Sequence, residues 1–577
     1  MSTQYECGLD MSELEKRTNT EYLSTITLLK PDSPEYVQLA EGDKQALTHL
    51  VKSGEILERI HLRIDSIHNI PFLDYLKEEI KKGNKQAELT KKLFDAQKGI
   101  NALDRLSNKI RLAKGIEEYP GKGVYPEDLT KEEFHNILKT MLNDNKTEEV
   151  KNILNQRSMV FREGNVLKSV DYVDYFKTDF AKMADELEAA AKVSTNKDFN
   201  EYLLLQAKAF RQADPKLDAA ADIKWAQLQD TPLEYTITRE NYADEMTGSI
   251  AQNEELKKLL KEKNIEPVPK DSLGCRVGIV NKKGTETLLA IKKYLPDLAK
   301  NMPYNTEYEQ VISTKEESKQ TMVDVDLVML AGDCGTYRAG ITLAENLPND
   351  DKLALSMGGG RRNVFHRQVR FISDIKKYQL RLDTLLDKEQ HCYYNQEADH
   401  WFTIGHENTH SLGPKLTSSK LGKYRNIIEE NKADMGGLGF VDLLTELGMY
   451  TEEMRKQIIV TSVTDCFLKT KPTMSQAHRV RTVMQNHYLW KRGAYDITKD
   501  GKIHVNIDKV VPAAKEMLAE IIRVQIDDDF EKCEKYVTDN FIWTENMDLI
   551  GKKWQSINAN LNGTLDSPLA DFLLKNN

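Results

Sequence analysis

From about residue 11 to residue 222, apolar side chains recur at intervals of three and four between charged ones, as over 76–94 and 176–191. That period puts them on one face of a 3.6-residue turn and predicts a predominantly helical block. Polar breaks at Lys82-Gly83-Asn84 and Pro120-Gly121 interrupt it. The character changes after Asp230, where segments 232–238, 275–280 and 322–330 are rich in β-branched residues and predict strands. After Val364 the helical period returns and holds to about Tyr536. The pattern predicts an α+β chain, mostly helical, with a strand-bearing middle between two helical blocks and therefore two lobes. It shows no repeat at a fixed period and no low-complexity tract.

The second helical block contains His406-Glu407-Asn408-Thr409-His410. Trp401, Phe402 and Ile404 before it can bury one side of a helix, and Gly413-Pro414 after it is a stop signal, so the pentapeptide falls in a helix's last turns. Imidazoles four residues apart on one face can reach a single ion, and Glu407 then stands beside the metal without binding it, where a general base belongs. A second helix is predicted from about Tyr424, with Ile427, Ile428, Leu438, Val441 and Leu444 on its apolar side. It carries Glu429-Glu430-Asn431-Lys432-Ala433-Asp434, with Glu430 twenty residues after His410. Catalytic zinc takes three protein ligands and leaves a fourth position to water. His406, His410 and Glu430 supply that set. Asp434, one turn further on, is placed to accept the outer N–H of a ligand histidine.

Composition narrows the function class. A chain of 577 residues holds several cores, and 40% apolar with 30% charged residues is ordinary for a globular protein. The net charge of −10, without a basic stripe, argues against nucleic acid as a partner. No apolar run approaches the length of a membrane span. Residues 1–16 have no apolar signal region, and Cys7, Cys275, Cys334, Cys392, Cys466 and Cys533 form no C-x-x-C pair. Both features predict reduced thiols and a cytoplasmic location. A monomer is expected. Gly358-Gly359-Gly360 lacks the lysine of a phosphate loop and reads as a turn. The sequons at Asn145 and Asn562 have no use in a cytoplasmic chain. His391 and His400 read as surface or packing histidines.

With the zinc helices in hand, the chain resembles the dipeptidyl peptidase III family of zinc exopeptidases, in particular its shorter members and the peptidase portion of plant Nudix-linked homologues. The resemblance runs from about residue 230 to about residue 539. It rests first on the segments 405–414 and 429–434, similar to the family's paired zinc signatures. By that match His406, His410 and Glu430 are the ligands, Glu407 is the base, and Glu429 and Asp434 support the ligand histidines. Thr238-Arg-Glu-Asn-Tyr242 is similar to the family's E-x-Y element, which implies that Glu240 receives the substrate's amino terminus and Tyr242 the oxyanion. Residues 331–350 look like the segment whose two asparagines hold the first residue, implying Asn346 and Asn349. Gln476-Ala-His478 resembles the segment whose histidine assists the tetrahedral intermediate. The family's form implies two lobes around a wide cleft. One is a mixed lobe with a small β-barrel-like sheet (1–260 and 322–365), the other a helical zinc lobe (261–321 and 366–577). Unlike most longer members, which carry H-E-x-x-G-H, this chain has the five-residue signature. It also lacks the Nudix box, and the family residues for the substrate's C-terminal end find no match.

The resemblance implies a zinc peptidase, with one Zn2+ per chain, that releases N-terminal dipeptides from short peptides. Two other readings fit parts of the sequence. The zinc spacing alone also suits a thermolysin-like endopeptidase, and a peptide-binding protein could keep the same ligands as a vestigial site.

Overall fold

The structure is a computed structural model describing residues 5–19, 23–103, 108–240, 244–310, 321–333, 344–347, 362–367, 375–414, 420–474, 476–556 and 562–576. Gly358–Gly360, Cys334, Tyr242 and Asn349 lie outside these. The first block is helical where its periodicity is strongest. The break at Lys82-Gly83-Asn84 separates helices Asn69–Lys81 and Lys85–Gln97, and the Asn84 side chain caps the second by accepting from Gln86 and Ala87 N–H. Two short hairpins, Asn101–Leu103 with Lys109–Arg111 and Ser158–Glu163 with Val166–Asp171, interrupt this block. Strands this short bury few residues and leave no period for the sequence to display.

Three of the five strands of the central sheet are those expected from β-branched enrichment. They are β2 (Leu233–Glu240), β3 (Ser272–Val280) and β4 (Thr321–Gly332), numbered after an N-terminal strand β1 (Leu23–Thr27). The others are β5 (Ala344–Leu347) and β6 (Arg362–His366). The order is β2-β3-β4-β6-β5, with β6 parallel to β4 and the other neighbours antiparallel. Among the described residues β2 and β5 do not pair with each other, so the sheet is open and not barrel-like. Helices on both faces explain this. Helix α1 (Glu41–Asp65) lies so close on one face that a β-carbon at Gly54 would stand 2.9 Å from Met329 Sδ. On the other face, helix α4 (Lys282–Leu289) packs against β4, and Phe365 meets His400 of helix α5 (Gln396–His410) edge-on at 5.9 Å.

Alternate residues of β4 and β6 feed two separate cores. Val323 and Val364 join α1, α2 (Lys177–Val193) and α3 (Lys197–Arg211), whereas Met322 and Phe365 join the helical block. Period 2 in the strands is thus what fastens the two halves together. The last strand, β7 (Asn562–Asp566), and the last helix leave the helical block and return to the first core, where β7 pairs in parallel with β1. That return departs from the grouping of 366–577 expected above. Among the described residues no helix is long and apolar enough to cross a membrane.

Candidate metal centre

Two helices build the site. Helix α5 (Gln396–His410) starts on Asn395, whose side chain accepts from Ala398 N–H at 2.7 Å. The chain turns away after His410, and Gly413 takes a left-handed φ of +89°. A β-carbon there would stand 3.2–3.4 Å from Ile522, Met302 and Lys432. Helix α6 (Arg425–Gly439) crosses α5 where Gly405 faces Gly437, and an added β-carbon on Gly405 would lie 3.0 Å from Gly437 Cα. Only glycine at both positions lets the backbones approach this far, and that approach brings Glu430 within reach of the histidines.

The three expected ligands converge. His406 and His410 face each other with Nε2 atoms 3.1 Å apart and ring planes at 89°. The Glu430 carboxylate stands 3.7 Å from His406 Nε2 and 3.9 Å from His410 Nε2. A four-coordinate cation with bonds of about 2.1 Å holds its ligand atoms about 3.4 Å apart, close to this spacing. The donor chemistry agrees. His406 Nδ1 meets Asp434 Oδ1 at 2.6 Å and His410 Nδ1 meets Glu429 Oε1 at 3.0 Å. A carboxylate only accepts, so each Nδ1 carries the proton and two bare Nε2 lone pairs point at one another and at a carboxylate. Such an arrangement repels itself unless a cation sits between. Burial also holds His406 below its ordinary range, which keeps the ring neutral as a ligand must be. His406, His410 and Glu430 therefore form a group able to hold a metal ion.

Charge points the same way. The carboxylates of Glu407, Glu429, Glu430 and Asp434 gather here with two fixed cations, Lys432 and Arg481. When all four acids are ionised two negative charges stay unbalanced, and a dication cancels them. Burial pushes the Glu407 carboxyl up, against the pull of His406 and His410, and the residue is only 7% exposed. Burial would also raise Glu430, but His478, His410 and His406 outweigh it and hold that carboxyl well below its usual range.

Four contributors carried no signal in the motif. Lys432 reaches Glu429 Oε1 at 2.8 Å and donates to the Leu412 carbonyl at 2.8 Å, tying α5's C-terminal end to α6. Gln485 on helix α7 (Ala477–Lys491) donates to Asp434 Oδ2 at 3.0 Å, and Arg481 on the same helix pairs with that oxygen. Gln525, near the end of helix α8 (Ile507–Asp527), donates to Glu429 Oε2 at 3.0 Å. His478 is brought to the centre, with Nδ1 3.2 Å from Glu430 Oε2 while 61% of its side chain is exposed. The strand-borne anchors are described only in part. Glu240 ends β2 opposite Ser272, and Asn346 lies in β5 opposite Asn363. Strand β5 packs against α5. Tyr242 and Asn349 belong to the undescribed segments. His400 is buried against Phe365 and Trp401, and His391 bonds the Leu386 carbonyl, so both are packing residues.

No protein-family model matches the chain. Nudix hydrolase 3 of Arabidopsis thaliana is 23% identical over 549 residues, covering 85% of this chain and 66% of that protein, just under two thirds of its length. The solved structure of DPP III from Caldithrix abyssi superposes with a TM-score of 0.76 at 23% identity, over 97% of this chain and 100% of that one. Dipeptidyl-peptidase III from Corallococcus sp. strain EGB gives a TM-score of 0.76 at 18% identity, over 98% of this chain and 99% of that one. From end to end, this chain has the fold of dipeptidyl peptidase III.

Proposed function

We propose that the protein is a zinc-dependent peptidase that releases dipeptides from the amino terminus of short oligopeptides, acting in the cytoplasm as a monomer. The observation that carries this reading is the convergence of two imidazole Nε2 atoms and the Glu430 carboxylate, on a fold whose solved relatives are named dipeptidyl peptidases. His406, His410 and Glu430 would hold the zinc, and Asp434 and Glu429 would fix the two rings. Zinc at such a site supplies Lewis-acid polarisation of the scissile carbonyl and a water acidic enough to attack it near neutral pH.

The chain's own residues do the rest. Glu407 accepts the proton lost by the attacking water and delivers it to the nitrogen of the breaking C–N bond. The rise of its proton affinity on burial suits a base working nearer neutrality than an exposed glutamate. Tyr242 and His478 donate to the developing oxyanion, and one such donor is typically worth roughly 3–4 kcal/mol of barrier. Glu240, Asn346 and Asn349 satisfy the substrate's ammonium and so measure two residues from the amino terminus to the scissile bond.

Mass spectrometry of the products from an unblocked and an N-acetylated pentapeptide tests the reading. The free peptide should yield a dipeptide and a tripeptide. The acetylated one should stay intact, since Glu240 would then be buried without its cationic partner. Cleavage of the blocked peptide at internal bonds would favour a thermolysin-like endopeptidase instead. One bound zinc with no turnover on either peptide would leave a binding protein.

A further inference from the structure

Helix α7 presents His478, Arg481 and Gln485 to α6 at spacings of three and four, a single stripe along one face. Arg481 is the largest and most buried cation of that stripe, with 18% of its side chain exposed. A guanidinium so placed loses most of its hydration, a cost recovered only from the groups it meets. It meets the carboxylates of the metal centre. Nη1 pairs with Asp434 Oδ2, and Nε stands 3.9 Å from Glu430 Oε2. Asp434 turns its other oxygen to His406 Nδ1 at 2.6 Å. One guanidinium therefore pairs with the carboxylate behind a ligand imidazole and stands within electrostatic reach, though not hydrogen-bond distance, of a ligand carboxylate. Lysine, a point charge on a flexible stem, cannot hold two carboxylates in a fixed relation in this way.

We infer that Arg481 is a positioning residue for the metal: it pairs with Asp434 and draws Glu430 toward it by charge, so that the His406 ring and the carboxylate ligand are aimed together. Its counterpart on the other histidine, Lys432, is also committed to the Leu412 carbonyl and so to the end of α5. Arg481 is thus the variant site that best separates metal positioning from helix support. This inference rests on the metal reading given above.

The test is the Zn2+ dissociation constant of the full-length protein, measured against a competing chelator, together with the melting temperature of the metal-free form. Partners behind a ligand are typically worth 10–100-fold in affinity. Arg481→Met should weaken Zn2+ binding at least tenfold, and Arg481→Lys should weaken it more than twofold but less than Arg481→Met does. Arg479→Met, on the same helix but bonded to Thr470, should stay within twofold. If Arg481→Met does not fold, Arg481→Lys decides the question by the same measurement. Either folded Arg481 variant holding zinc within twofold of the parent overturns the inference, even when its metal-free form melts earlier, because the residue would then only join helices. A parent that binds no zinc removes the metal reading and this inference with it.

Discussion

Glu407 and Asp326 are both buried acids that hold protons more tightly than usual, and their surroundings give them opposite uses. Glu407 feels the charge of both imidazoles, and nothing about its side chain is needed to assemble the ligand set. Glu407→Gln should therefore bind one zinc as the parent does while turnover falls by about 10²–10⁴-fold or more. Metal analysis beside steady-state kinetics checks this, and activity within tenfold of the parent would remove Glu407 as the base. Asp326 lies on β4, 5% exposed, far from any such chemistry. Burial pushes its carboxyl up to about 6, against a hydrogen bond from Asn281 at 2.8 Å and with added repulsion from Asp324. A group whose proton affinity is raised by folding stabilises the fold while protonated. That contribution is complete below the ordinary value of 3.8 and is lost as pH rises through about 6. Asp326→Asn still accepts from Asn281, so at pH 7 it should stabilise the protein, on the order of 1–3 kcal/mol, and flatten the pH dependence between 4 and 6. Urea midpoints of parent and variant at pH 4.5 and 7 measure the difference. Parallel pH dependences would show that Asp326 is not the group responsible.

At the scale of elements, the distance between α5 and α6 decides whether the ligands meet. Alanine in place of an exposed helical glycine gains up to about 1 kcal/mol of helix propensity. At Gly437 the added carbon would stand 2.9 Å from the His406 backbone nitrogen, an atom that cannot move without its helix. The clash should win. Gly437→Ala is expected to lower stability by about 1–3 kcal/mol, as overpacking does, and to weaken zinc binding by pushing Glu430 from the histidines. Thermal melting and chelator competition read the two effects, and a variant more stable than the parent would mean the crossing has slack. This crossing also marks where the sequence stops being legible. Two histidines at i and i+4 and an acid one helix later are local periodicities, readable without a structure. The glycines gave no hint, because their meaning lies in the neighbouring helix. Arg481, Gln485 and Gln525 were equally silent, since their carboxylate partners sit on an element more than forty residues away. Strands β2, β3 and β4 announced themselves by composition. Strand β5, four residues on a sheet edge, did not, although it packs against α5.

For the whole molecule, the chain's return to its beginning sets which part of the structure depends on which. Strand β1 pairs with β7 through Leu23–Asn562 to Thr27–Asp566, and the bond from Leu569 N–H to the Leu29 carbonyl (3.1 Å) extends the contact. The last helix, α9 (Pro568–Lys575), then drives Leu569 and Leu573 into the core shared by α1 and β4, where they are 0% and 2% exposed. The lobes implied by the family's form keep this segment with the helical block it follows, and parallel pairing across the length of the chain has no local signature that would move it. Helices α5 and α6 lie in the other core. Truncating buried leucines costs about 2–5 kcal/mol each, so Leu569→Ala with Leu573→Ala should remove 4 kcal/mol or more, a large share of a domain's net 5–15. The loss should appear where those side chains pack. Hydrogen exchange should accelerate in α1 and β4 under native conditions while α5 and α6 keep their protection and the protein keeps its affinity for zinc. Uniform loss of protection across both cores would mean that the two halves unfold as one unit through the sheet. Unchanged protection in α1 and β4 would mean that α9 only rests on the surface, contrary to its burial.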